Sequence, residues 1–98
     1  MHIKIHESYR KVVALCDDEL IGKKFEEGKM QLDVRENFYK GEEIGDKEAV
    51  KVLKDYFSDD ATFNIVGAKS VKAALDAGII LKGNVGKVQG IPFALLLL

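Results

Sequence analysis

Asp46-Lys47-Glu48-Ala49-Val50-Lys51-Val52-Leu53-Lys54-Asp55-Tyr56-Phe57 carries the clearest periodicity in the chain. Ala49, Val50, Leu53, Tyr56 and Phe57 recur at three- and four-residue spacing, while Lys47, Glu48, Lys51, Lys54 and Asp55 fill the opposite side. The spacing predicts an amphipathic helix, capped by Asp46, that packs one stripe on a sheet. Ser58-Asp59-Asp60 breaks this pattern and residues 62–66 have strand composition. Gly67 then opens a second helix, in which Ala68, Val71, Ala74 and Leu75 form a small-residue stripe and Gly78 supplies the C-terminal stop.

The segments flanking these helices read as strands. His2-Ile3-Lys4-Ile5-His6 alternates with the two-residue period of a half-buried strand, and Lys11-Val12-Val13-Ala14-Leu15-Cys16 is a strand covered on both faces. Paired as a hairpin with His6 opposite Lys11, they would set Ile5 facing Val12 and Ile3 facing Ala14, with Cys16 on the core side. Asp17 is placed to cap a single helical turn that contains Asp18 and Glu19 and ends at Gly22. Residues 23–26 and 30–34 flank Glu27-Gly28-Lys29 as a second hairpin. Residues 35–45 lack a sustained period and are read as a loop. The tail repeats the hairpin pattern: residues 85–88, Gln89-Gly90, then Ile91-Pro92-Phe93-Ala94-Leu95-Leu96-Leu97-Leu98, with Pro92 near the strand start or at a bulge. Strands grouped at both ends around two principal helices give an α+β fold with a small, mainly antiparallel sheet, spanning residues 1–98 as a single domain.

Composition agrees with a globular chain. A length of 98 residues, a formal charge of -1, 47% apolar and 32% charged residues exclude disorder and a polybasic chain. The lone Cys16 leaves no intrachain disulfide, and the N-terminal stretch has no basic and apolar leader, which together predict a cytoplasmic protein. The longest apolar run, residues 91–98, falls well short of the roughly 20 residues of a membrane-spanning helix, so no membrane partner is expected.

Four ordered motifs, Cys16-Asp17-Asp18-Glu19-Leu20-Ile21-Gly22-Lys23, Phe25-Glu26-Glu27-Gly28, Phe38-Tyr39-Lys40-Gly41 and Asn64-Ile65-Val66-Gly67, resemble the archaeal family catalogued as domain of unknown function 424. The resemblance extends over essentially the whole chain. It implies a small cytoplasmic archaeal protein and carries over no catalytic residue. The chain departs from the family's pattern after Pro92, where Phe93-Ala94-Leu95-Leu96 stands in place of polar residues.

Several residues are candidates for chemistry. On a strand, His2 and His6 lie about 13 Å apart, too far to share one metal ion, so both are read as exposed strand-face residues. Cys16, followed by Asp17, Asp18 and Glu19, is a buried structural thiol rather than a nucleophile. The acidic pairs lack the spacing of a cation loop, and no metal or cofactor is expected. Gly67-Ala68-Lys69-Ser70, between a strand and a helix, could offer free amides to one phosphate, with Lys69 and Lys72 on the following face. The competing reading is a tight junction with Lys72 paired to Asp76.

Charge is unevenly divided. Residues 1–60 hold 11 basic and 15 acidic groups, whereas Lys69, Lys72, Lys82 and Lys87 face only Asp76 in residues 61–98. Those four lysines would suit a nucleic-acid backbone. Arg35, Phe38, Tyr39 and Lys40 could add a stacking contact, unless the aromatics fold back over the core. The expectation is a non-catalytic binding module for RNA or a phosphate-bearing ligand, using Gly67, Lys69, Lys72, Lys82, Lys87, Arg35, Tyr39 and Lys40. The alternative is an interaction protein in which residues 91–98 build a homodimer or dock on a larger assembly.

Overall fold

The computed structural model describes residues 1–97 and contains one six-stranded sheet and a separate hairpin. The strands are β1 (His2–His6), β2 (Val12–Cys16), β3 (Lys24–Glu27), β4 (Met30–Asp33), β5 (Glu42–Glu43), β6 (Thr62–Val66), β7 (Gly86–Val88) and β8 (Ile91–Leu96). The helices are α1 (Glu36–Tyr39), α2 (Asp46–Ser58) and α3 (Ala68–Asp76), with short 3-10 turns at Asp18–Leu20 and Lys82–Asn84. The main sheet runs β5-β1-β2-β6-β8-β7, and β3 pairs with β4 apart from it. Every pairing is antiparallel except β2 with β6. The architecture is α+β with a mainly antiparallel sheet, as the grouping of strands predicts.

The two sheet faces bury different layers. On one, Ile3, Val13, Leu15, Phe63, Ile65 and Ala94 meet Ala49 and Leu53 of α2 and Val71, Ala73 and Ala74 of α3. The small side chains of α3 allow close helix approach, which explains why an Ala-rich stripe follows Gly67. On the other face Ala14, Cys16, Val66 and Val88 lie beneath Leu20, Leu32, Val34 and Tyr39. β2 therefore has both faces covered, consistent with its near-continuous apolar sequence.

The β1–β2 register differs from the expected one by a single residue. Val12, rather than Lys11, stands opposite His6, so Ile5 meets Val13 and Ile3 meets Leu15. Because side chains alternate, this slip moves Ala14 and Cys16 to the face away from the helices. Residues 35–45 are also more ordered than a loop: they contain α1 and β5. Asp46 is the first residue of α2 rather than its cap, which is Gly45.

The apolar C-terminal strand lies inside the sheet. β8 pairs with β6 through Phe63↔Leu96 to Val66↔Phe93 and with β7 through Gly86↔Phe93 to Val88↔Ile91. Gln89 and Gly90 form the tight turn, both at positive φ, and Pro92 enters the ladder opposite Lys87. Leu98, the last residue of the expected strand, lies outside the described residues. No helix among the described residues is long and apolar enough to cross a membrane.

Candidate functional site

The hairpin-side face of the sheet is only partly covered. Register aligns Lys4, Ala14, Asn64 and Leu95 in one row across β1, β2, β6 and β8. Ala14 lies under the hairpin-side cluster, but Lys4 and Asn64 are half-buried and Leu95 is exposed. Beside this row opens a cleft of about 510 Å³, lined by Lys4, His6, Asp33, Arg35, Asn37, Phe38, Tyr39 and Asn64. β1 and β6 supply its floor, and β4 and α1 supply a wall.

Alternating side chains of β1 hold that wall in place. Lys4 Nζ donates to Asn37 O at 2.7 Å, His6 Nε2 to Phe38 O at 2.8 Å, and His2 Nδ1 to Gly41 O at 3.1 Å. A carbonyl can only accept, so each imidazole nitrogen facing one carries the proton. These contacts satisfy carbonyls at the end of a helix only four residues long, which could not persist through its own propensity. The histidines are therefore half-buried clamps rather than free surface groups.

The cleft is polar with an aromatic edge. The Phe38 ring stacks on His6, with centroids 4.4 Å apart and an interplanar angle of 16°, and meets Tyr39 edge-on at 5.0 Å. Tyr39 itself is 7% exposed, so its ring belongs to the core and cannot stack on a ligand. Burial pushes its hydroxyl up to about 12, with smaller contributions from Cys16 and Asp33. Arg35 Nε donates to Asp33 Oδ2 at 3.2 Å, engaging one of the five guanidinium N–H groups. Lys4 likewise keeps further donors beyond the one given to Asn37.

The helix N-terminus expected to hold an external anion is filled from within. Asp17 crosses from the end of β2 to α3: its carboxylate accepts from Lys69 N at 3.1 Å, Ser70 N at 2.9 Å and Ser70 Oγ at 2.7 Å. Gly67, at φ 109°, passes against that carboxylate. Asp17 thus caps α3, and its side chain makes no capping bond to the 3-10 turn that it precedes. Lys69 and Lys72 line a small groove of about 60 Å³ together with Asp46 and Asp76, so the two lysines face two carboxylates. Lys72 Nζ is bonded to Asp76 Oδ2 at 2.8 Å, which raises the lysine pKa.

The remaining candidates are dispersed. Lys40, the residue after α1, pairs with Glu36 at 3.6 Å. Lys82 belongs to the second 3-10 turn and Lys87 to β7, and neither lines the cleft or the groove. Of the expected residues, Arg35, Phe38 and Tyr39 enter the cleft. Lys4, His6, Asn37 and Asn64 were not expected there; the alternation of His2, Lys4 and His6 was the available signal.

Cys16 is fully buried, and burial together with the adjoining Asp17 and Asp18 charges pushes its thiol up to about 12. It is held as an inert core group.

A family model described as "Protein of unknown function (DUF424)" matches residues 5–98. The chain belongs to this family. A DUF424 identity agrees with the four motifs, two of which supply the cleft wall (Phe38, Tyr39) and its floor (Asn64). The fold is similar to the crystal structure of an uncharacterized conserved protein from Methanopyrus kandleri, with a TM-score of 0.86 and 24% identity over 97% of this chain and 88% of that one. No curated protein matches the sequence.

Proposed function

We propose that this DUF424 chain is a cytoplasmic, non-catalytic binding module that holds a phosphate-bearing unit of single-stranded RNA in the cleft. The observation that carries this reading is the convergence of Lys4, Arg35 and His6 with Asn37 and Asn64 around the Phe38 ring in one cleft of about 510 Å³. That volume lies within the range of small-ligand sites and admits a nucleotide. The spare donors of Lys4 and the guanidinium of Arg35 suit phosphate oxygens, with Asp33 the one carboxylate opposing them. The carboxamides of Asn37 and Asn64 suit base edges, and the half-buried Phe38 ring offers a stacking surface.

Fluorescence anisotropy of a labelled single-stranded oligoribonucleotide at low ionic strength tests the reading. Saturable binding is expected, weakened by about tenfold or more in the Lys4→Gln/Arg35→Gln double variant. Absence of saturable binding, or equal affinity in the folded double variant, overturns it.

A second reading rests on the C-terminal strand. β7 spans only Gly86–Val88, so among the described residues no strand covers the outer edge of β8 beyond Phe93, where Leu95 is 55% and Leu97 73% exposed. A second copy pairing along this edge would form a homodimer. Light scattering at high concentration tests it, and a monomer there rejects it.

A further inference from the structure

We infer that His2, Asp18 and Glu43 form a binding site for a zinc-type divalent cation. The sheet register assembles it: His2 stands opposite Glu43 of β5 on one side and Cys16 of β2 on the other, and Asp18 follows Cys16 after one intervening residue. His2 Nε2 lies 3.7 Å from Asp18 Oδ1 and 3.8 Å from Glu43 Oε1, and one ligand atom from each of the three residues lies within 4.8 Å of the others. The Met1 nitrogen is 3.2 Å from Asp18 Oδ1 and 3.5 Å from Glu43 Oε2.

These separations are those of a coordination shell. A tetrahedral zinc ion with bonds of about 2.1 Å sets its ligand atoms about 3.4 Å apart. The two His2 edges, 3.7 and 3.8 Å, need shifts of only a few tenths of an ångström to match.

The histidine supplies a second, separate argument. Because Nδ1 donates to Gly41 O at 3.1 Å, the neutral ring presents its Nε2 lone pair toward two carboxylates. The Met1 ammonium, which also donates to Ile44 O, bonds both carboxylates, and a divalent ion binds by displacing it from them. The Nδ1–H to carbonyl bond is also the outer contact that orients metal-bound imidazoles. The imidazole nitrogen favours zinc over magnesium, and the half-exposed side chains of Asp18 (51%) and Glu43 (57%) leave the ion an entry path. The site shares no lining residue with the cleft, so the two proposals stand or fall separately.

Zinc competition against a chromophoric chelator, using the full chain, tests the site. The expected result is one equivalent bound with a dissociation constant on the order of micromolar, weakened about tenfold or more in each of His2→Ala, Asp18→Asn and Glu43→Gln and unchanged in Asp55→Asn. Thermal melts in chelator verify that each variant is folded. Cobalt(II) in place of zinc should give nitrogen and oxygen ligation without a thiolate charge-transfer band. Uptake weaker than about 100 µM, affinity indifferent to His2→Ala, or a thiolate band would each overturn the assignment.

Discussion

A Cβ on Gly67 would lie 2.6 Å from both carboxylate oxygens of Asp17. The two residues are 50 positions apart and are joined by parallel pairing of β2 and β6, with Cys16 opposite Val66. Gly67 also occupies φ 109°, ψ 156°, a region essentially reserved for glycine. Gly67→Ala is therefore expected to lower stability by about 3 kcal/mol or more, measured by urea unfolding. Asp17→Ala strips two amides and a buried hydroxyl of their acceptor and should cost about 2 to 4 kcal/mol. In a double-mutant cycle the pair should cost less than the sum, because Asp17→Ala removes the group that the new methyl strikes.

Alkaline pH should unfold the protein through its hairpin-side core. Tyr39 and Cys16 are both pushed up to about 12, above their ordinary values of 10.0 and 9.0, by burial first. As pH rises through the ordinary values the unfolded chain loses these protons while the folded chain keeps them. Folding stability is thus complete below about pH 9 and falls between there and about pH 12. By about pH 11 the expected loss is on the order of 1 kcal/mol from Tyr39 and roughly twice that from Cys16. Urea midpoints across this range check it, and Tyr39→Phe should flatten the decline. The same burial predicts negligible reaction of native Cys16 with a thiol reagent at neutral pH and prompt reaction in urea.

The β1 clamp gives a local prediction. His6→Ala removes both the bond to Phe38 O and the ring on which Phe38 stacks. The expected loss is about 1 to 2 kcal/mol. Hydrogen exchange should show it first at the Lys40 amide, which donates to Glu36 O across α1. Equal protection of that amide in parent and variant would count against the clamp.

If the cleft holds RNA, its salt dependence should follow the named cations. Lys4→Gln and Arg35→Gln should each make the plot of log affinity against log salt shallower by about 0.7, the contribution of one single-strand phosphate contact. Lys82→Gln, outside the cleft, should leave the slope unaltered.

The helices and hairpin turns were legible because their signals are local. The period of residues 46–57 and the Gly28 and Gly90 turns each sit within one element. The β1–β2 register was not, because β2 is buried on both faces and so has no polar alternation to fix its phase. α1 is hidden in the sequence for a different reason: four residues carry no period, and its carbonyls are bonded by β1 more than thirty positions earlier. The cleft was half legible. Arg35 stands beside aromatics in the sequence, whereas Lys4 and Asn64 meet only through the β1-β2-β6 register. The anion site failed at Asp17, whose distant partner a linear reading does not show.

The parallel junction of β2 with β6 also governs how the chain finds its fold. Pairing Val12 with Thr62 closes a loop of 50 residues, at an entropic cost of about 3.5 kcal/mol from chain length alone. The β1–β2, β3–β4 and β7–β8 hairpins close far shorter loops and can form and dissolve on the microsecond scale before it. The slow event is then expected to be the docking of the N-terminal hairpin onto the β6–α3 unit, where Leu15 meets Ile65 and Cys16 meets Val66.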